Sequence, residues 1–431
     1  MSEIHDRLDE LKELGLFRRT RMVSGPQGPR VVLDGKPVLL LCSNNYLGLA
    51  DHPRVREAAA DAAMRWGVGA GASRLVSGTM TVHRRLEERL AAFKGTEAAL
   101  LFGSGYLANV GVVSALGGAG RVVFSDELNH ASIVDGCRLA KADTFIYQHC
   151  DMEHLAWGLR HAEGRGALIV TDSVFSMDGD VAPLEEIVQL ARRHDVRVVV
   201  DEAHGTGCLG PGGRGAVHEA GLEGEVDVVV GTLGKALGAY GAFAACDQAM
   251  AQLLVNSARP FIFSTAPPPP AVAGALAALE LLEEQPHRVE KLQANADTMR
   301  DELAKEGFEV AGSTTQIVPL VVGDAKLAMR ICELAIERGV FAQAIRPPTV
   351  PEGTSRLRLA LMASHTKSEL RDAAQVLGRS ALQAGFRPGT GVPVAAARDA
   401  AARESAAARP ADSPAGPFDF EADAARVARA A

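Results

Sequence analysis

Two stretches decide how this chain is read: RVVVDEAHGTG (197–207) and DVVVGTLGKALG (227–238). Each opens with a short run of β-branched apolar residues and no polar alternation. That is the pattern of a strand buried on both faces of a parallel sheet. Each run then breaks into glycine-rich sequence, so Asp201, His204 and Lys235 fall at or just past strand ends. Open α/β sheets bind ligands outside the carboxyl ends of their strands. Taken singly, a strand-end aspartate and a loop lysine are ordinary surface features. A GxxxxGK[ST] phosphate loop is excluded, because Val229 stands where its first glycine belongs and Ala236 where its hydroxyl residue belongs.

Outward from these stretches, apolar strands alternate with amphipathic helices from about residue 53 to 265. The candidate strands are 98–102, 121–124, 167–171, 196–200 and 227–230. Short connections between them predict βαβ units and a mostly parallel sheet. Upstream, PRVVLDGKPVLLLCSNN (29–45) reads as a hairpin turning at Asp34-Gly35. In MSEIHDRLDELKELG, Ile4, Leu8 and Leu11 share one helical face and predict a docked amphipathic helix. Downstream of FIFSTAPPPP (261–270), one long helix is expected over about 271–305. Strands near 308–323 and 340–361, with helices at 324–338 and 366–385, predict a smaller C-terminal α/β domain. The expected division is 1–52 (N-terminal helix and hairpin), 53–290 (large domain), 291–387 (small domain) and 388–431. The last segment is rich in Ala, Arg, Pro and Asp and reads as a disordered tail.

The 431 residues are 47% hydrophobic and 23% charged, a globular composition. A net charge of −8 argues against nucleic acid as the main partner. Arg18, Arg19 and Arg21 form a local basic cluster, either solvated surface or a site for an anionic ligand. The six cysteines are scattered without a CxxC pair, so reduced thiols in a cytoplasmic protein are expected, with no metal site. The N-terminus lacks the apolar core of a signal peptide, and AVAGALAALELL (271–282) is too short to span a bilayer. No membrane association is expected.

An acid, an imidazole and an amine at strand ends suit pyridoxal phosphate (PLP). Lysine forms the Schiff base, and the acid keeps the ring nitrogen protonated. A carboxylate about 4 Å from a pyridinium contributes about 4 kcal/mol at an effective dielectric near 20, or about three pKa units. Lys235 must be neutral to attack a carbonyl, and burial among apolar strands lowers its pKa. AALLFGSGYLAN (98–109) supplies a strand, a glycine turn and a helix start whose free amides suit a phosphate. The same segment carries Gly103-x-Gly105-x-x-Ala108, with Asp126 23 residues after Gly103, where a ribose-binding acid belongs. An NAD-dependent dehydrogenase is therefore an alternative, although it leaves His130, Asp201, His204 and Lys235 without roles. RVVFSDELNHAS (121–132) puts His130 just past a strand, where its ring could stack on a planar cofactor. ALIVTDSVFSMDGD (167–180) ends a strand with Ser173 and Ser176, either of which could bond a cofactor oxygen. In RPPTVPEGTSRLRLAL (346–361), Arg356 and Arg358 share one strand face, either a solvent face or a carboxylate receptor.

With SNNYLGLADHP (43–53), SGTMTVH (77–83), DELNHASIVDG (126–136), VFSMDGDVAPL (174–184) and VDEAHGTGCLGPGGRG (200–215) added, the chain resembles the α-oxoamine synthases over roughly residues 5–385. These are PLP-dependent acyltransferases of the aspartate-aminotransferase-like fold. The resemblance implies that Lys235 carries the cofactor, Asp201 pairs with the ring nitrogen and His130 stacks on the ring. Ser176 and His204 would contact the ring oxygen. Gly105, Tyr106 and Thr232 would hold the phosphate, with Ser264 or Thr265 reaching it from the neighbouring subunit of a homodimer. Asn44 and Arg358 would contact the amino-acid carboxylate, and Arg21, Arg346 and Thr349 would lie near the acyl substrate or entrance. RPPTVP (346–351) is most similar to the branch that joins L-alanine to a pimeloyl thioester of coenzyme A or acyl carrier protein, a step of biotin biosynthesis. A glycine C-acetyltransferase is the alternative within the family.

Overall fold

The hairpin turns where expected, with Asp34 and Gly35 at positive φ of 48° and 83°. It lies within a meander of β1 (Val23–Ser24), β2 (Arg30–Leu33) and β3 (Lys36–Leu40). The computed structural model describes residues 2–162, 164–310 and 312–387. The segment 388–431, expected from its composition to be a disordered tail, lies outside the described residues.

Seven strands come next in chain order: β4 (Ala98–Phe102), β5 (Val122–Asp126), β6 (Asp143–Tyr147), β7 (Gly166–Asp172), β8 (Arg197–Asp201), β9 (Val228–Thr232) and β10 (Ala242–Cys246). They form one sheet in the order β4-β10-β9-β8-β7-β5-β6. Only β10 runs antiparallel to its neighbours, β4 and β9; the remaining pairs are parallel. Val170, Val199 and Val230 pack on one face, and Ile169, Val198, Val200 and Val229 on the other. Burial on both faces is why these strands read as unbroken apolar runs. β6 and β10 were not among the expected strands. β10 is AFAAC, and alanine favours helix; pairing on both edges overrides that preference.

The C-terminal part contributes β11 (Ile317–Gly323), β12 (Val340–Phe341), β13 (Gln343–Ile345) and β14 (Ser355–Ala360). β14 lies between β11 and β13 in an antiparallel sheet, while β12 pairs parallel with β3 and ties the hairpin to this part. The long helix expected over 271–305 is instead two, Pro269–Glu284 and His287–Lys305. Pro286 stands between them; it has no amide proton to continue the first helix. The N-terminal helix forms over Ser2–Glu13, but Ile4 and Leu8 are 67% and 38% exposed rather than docked. No helix among the described residues is long and apolar enough to cross a membrane. The six cysteines form no disulfide.

Candidate active site

The parallel register brings Asp172 of β7 opposite Asp201 of β8, so two carboxyl groups meet on one rim. Asp201 Oδ2 accepts from Asn109 Nδ2 at 2.5 Å and Oδ1 from the Ala203 amide at 2.7 Å. Asn109 comes from the helix Gly105–Leu116. Lys235 lies in the turn after β9, its Nζ 2.7 Å from His204 Nε2, and His204 Nδ1 lies 2.7 Å from the Tyr46 hydroxyl. Gly238 makes this packing possible. Its φ is +60°, and a Cβ there would lie 2.3 Å from the Ala50 amide nitrogen.

Burial lowers the Lys235 pKa to about 8, against the opposing pull of Asp201 and Asp172. Burial, followed by the Lys235 charge, holds His204 well below the usual imidazole range, so it is neutral. Burial likewise lowers His130. His130 caps the helix Ala131–Ala140, with Nδ1 2.7 Å from Ser132 Oγ. Its amide donates to Asp172 Oδ2 at 2.7 Å, and burial, then the nearby Asp201, raises Asp172 well above the usual carboxyl range. His130 and Lys235 both sense the Asp201 charge, which places the four expected catalytic residues in one electrostatic cluster.

Arg356 and Arg358 do share a face, but both are buried, because β11 and β13 flank their strand. The solvent-face reading therefore fails. Arg358 donates to the Ser176 carbonyl, to Asn44 Oδ1 at 3.2 Å and to the Tyr46 hydroxyl at 3.3 Å. Arg356 instead pairs with Asp178 and donates to the Thr354 carbonyl, fixing the loop that carries Ser176. Ser173 is committed to the backbone, its hydroxyl donating to the Asp201 carbonyl at 2.9 Å.

Gly105 and Thr232 are neighbours on the rim, since a Cβ on Gly105 would lie 3.9 Å from Thr232 Cβ. The Tyr106 hydroxyl donates to Asp135 on a half-exposed surface. Ser264 and Thr265 come directly after the helix Arg259–Phe263, and Thr265 bridges to Ser73. Arg21 pairs with Asp34 at 3.3 Å and with Glu333. Arg346 donates to the carbonyls of Gly15 and Phe17, and the Thr349 amide to the Arg346 carbonyl at 3.1 Å. Arg346, together with Arg18 donating to the Pro347 carbonyl at 3.3 Å, holds the N-terminal segment against the 346–349 turn, whereas Arg21 ties it to Asp34 and Glu333.

Sequence reasoning missed Tyr46, Asn109 and Asp172. Asp172 ends an apolar run as Asp201 does, and Asn109 stands one helical turn after Gly105; either signal could have been used. Tyr46 lies within SNNYLGLADHP, which carries the resemblance, but nothing in that stretch points to His204 as its partner. The dehydrogenase alternative falls at Asp126. This buried carboxylate already accepts from the Leu128 amide (2.9 Å) and the Cys150 amide (2.9 Å), and lies 2.9 Å from His149 Nδ1, leaving no place for a ribose. Asp126, His149 and Cys150 lie within metal-ligand range of one another. Burial alone would lower the His149 pKa, but hydrogen bonds to Asp126 and Asp180 push it up to about 12. The cluster is a closed imidazolium clamp in which a metal would have to displace a tightly held proton.

Residues 36–377 match the family described as aminotransferase class I and II. An 8-amino-7-oxononanoate synthase of Citrifermentans bemidjiense is 53% identical over 380 residues, which is 88% of this chain and 97% of the relative. The chain belongs to the 8-amino-7-oxononanoate synthase family. A solved 8-amino-7-oxononanoate synthase of Francisella tularensis superposes with a TM-score of 0.70 at 26% identity, covering 81% of this chain and 99% of that one. A serine palmitoyltransferase from S. paucimobilis, solved with bound PLP-myriocin, gives 0.84 at 32% identity, covering 89% and 98%. The resemblance to α-oxoamine synthases and to the aspartate-aminotransferase-like fold is thereby upheld. The residues of this 8-amino-7-oxononanoate synthase family member also fit PLP. The donor set comprises a half-buried amine with a lowered pKa, a buried carboxylate at a strand end, and a helix N-terminus beside Thr232.

Proposed function

We propose that the protein condenses L-alanine with a pimeloyl thioester to give 8-amino-7-oxononanoate, with release of CO2 and the carrier thiol. The enzyme is PLP-dependent and serves biotin biosynthesis. The observation that carries this reading is one continuous hydrogen-bonded path. It runs from the half-buried Lys235 through His204 and Tyr46 to the carboxylate receptor made by buried Arg358 and half-buried Asn44.

PLP supplies the electron sink for charge developing at the substrate α-carbon. With a pKa of about 8, Lys235 has a usable neutral fraction near neutral pH, so it can hold the cofactor covalently and move the α-proton. With PLP bound, Asp201 would keep the ring nitrogen protonated, His130 would hold the ring face, and Ser176 and His204 would hold the ring oxygen. Gly105, Tyr106 and Thr232 would hold the phosphate, with Ser264 or Thr265 of a neighbouring subunit. Arg358 and Asn44 orient the alanine carboxylate, which later leaves as CO2. Arg21, Arg346 and Thr349 shape the acyl entrance, Arg346 through the N-terminal segment it holds and Thr349 through its bond to the Arg346 carbonyl. On this reading, 1–52, 53–290 and 291–387 act as an N-terminal strap, a cofactor domain and a small domain. Exposed apolar residues Met64, Val68, Val76 and Phe263 favour a homodimer. The biosynthetic substrates favour the cytoplasm.

The test is a competition assay. Alanine with pimeloyl thioester is expected to beat glycine with acetyl thioester by at least about tenfold in kcat/KM, about 1.4 kcal/mol of differential transition-state binding. The reverse preference would overturn the substrate assignment.

A further inference from the structure

Two neighbouring helices set a chain of hydrogen bonds between Asp201 and His130. Asn109 comes from Gly105–Leu116 and Ser132 from Ala131–Ala140, and both side chains are buried. Asn109 Nδ2 lies 2.5 Å from Asp201 Oδ2 and 2.9 Å from Ser132 Oγ, and Ser132 Oγ lies 2.7 Å from His130 Nδ1. A carboxylate only accepts, so the Asn109 atom that faces it is the amide nitrogen. That nitrogen also donates to Ser132 Oγ, which leaves the hydroxyl proton for His130 Nδ1. The Ser132 amide donates to the same Nδ1 at 3.2 Å. Both donors give one answer: Nδ1 is a bare lone pair, and the ring proton of neutral His130 is on Nε2.

We propose that Asn109 and Ser132 are positioning residues that relay the ionised state of Asp201 to His130, holding the imidazole with Nδ1 as an acceptor and Nε2–H as its only ring proton. An Nδ1 that faces two donors gains a proton only by losing both bonds. The relay therefore opposes a positive charge on His130, on the face of a ring whose nitrogen Asp201 keeps protonated. Burial of His130 works in the same direction. The titratable groups facing His130 are Asp201, whose charge favours imidazolium, Lys235, whose charge opposes it, His204, and Asp172, which accepts the His130 amide. Through space, then, the Asp201 charge draws a proton onto His130, whereas through the relay it keeps one off Nδ1. The two effects have opposite signs, which makes them separable.

The inference rests on the reading of Asp201 as the partner of the ring nitrogen. That reading falls separately, if Asp201→Asn costs under about tenfold in activity. The relay is tested by 15N spectra of histidine-labelled holoenzyme, with His130 assigned by the signals lost in His130→Phe. Native holoenzyme is expected to show a bare His130 Nδ1 and a protonated Nε2. A protonated Nδ1 there overturns the proposal, whether or not any variant folds. Asp201→Asn should reverse the relay. The Ala203 amide holds Oδ1 at 2.7 Å, so the new amide nitrogen takes the place of Oδ2 and meets Asn109 Nδ2 donor to donor. Asn109 then turns its Oδ1, which has no partner among the described residues, toward both neighbours. Ser132 must now donate to Asn109, and His130 Nδ1 supplies the proton for the 2.7 Å contact at the expense of the longer bond from the Ser132 amide. The ratio of Nδ1–H to Nε2–H is expected to rise by about tenfold, the weight of one hydrogen bond. In a Ser132→Ala background, where the relay is cut, the same substitution is expected to leave the ratio in place. An unchanged ratio in the single variant, or an equal shift in both backgrounds, overturns the proposal.

Discussion

Replacing Lys235 with methionine should alter how the cofactor-free protein's stability depends on pH. The ordinary lysine pKa of 10.5 applies to the unfolded chain, and burial brings the native value to about 8. Between pH 8 and 10.5 the unfolded chain binds more protons than the native state, so stability rises with pH across that window. Below pH 8 the full cost of about 3 kcal/mol is in place, from a gap of about 2.5 units at 1.36 kcal/mol each. Between pH 7 and 9 the native protein therefore regains about 1 kcal/mol from this residue alone. For a chain of this size that is about 1–2 °C in Tm. The assay compares thermal unfolding of cofactor-free native protein and Lys235→Met at pH 7 and pH 9. The buried cysteines and tyrosines titrate in both proteins, so the difference between the two pH responses isolates Lys235. The native protein should gain stability relative to the variant as pH rises. Parallel responses would mean that Lys235 is not desolvated, and the argument that burial readies its amine for carbonyl attack would fail with it.

Asp201→Asn should keep the fold, because Asn109 Oδ1 is a buried acceptor without a partner and can turn to meet the new amide. Activity of the loaded enzyme should fall about a thousandfold, the equivalent of about 4 kcal/mol of lost ring-nitrogen stabilisation; a loss of under tenfold would refute the role. Val76→Glu, at a position 79% exposed in the single chain, should convert the proposed homodimer to monomer in sedimentation velocity. A dimer unaffected by this charge would remove that surface from the interface.

Much of the large sheet was legible because its strands are buried on both faces, and a run such as RVVVD admits few other readings. Lys235, Asp201, His204 and His130 were legible for a related reason. Each lies just past such a run, and parallel topology gathers the carboxyl ends of the strands onto one rim. β10 was not legible, since AFAAC becomes a strand only by pairing with β4, far upstream in the chain, and with β9. The break at Gln285–Pro286 was legible in the proline but was outweighed by the helical periodicity around it.

What the sequence determined by itself is therefore the set of strand ends and the chemistry they carry. Burial and local turn chemistry are properties of short segments. The tertiary structure alone decided which polar groups spend their hydrogen bonds on each other. Asp126 looked like a ribose acid until its lone pairs were found committed to Leu128, His149 and Cys150. Arg356 and Arg358 looked equivalent on one strand face, yet one is closed by Asp178 and the other opens onto Asn44 and Tyr46. Tyr46 reaches His204 across 158 residues, a contact that nothing in its own stretch of sequence announces. Hydrogen bonds are directional and short-ranged, so their partners are fixed by where the chain returns in space, and no period in the sequence encodes that return.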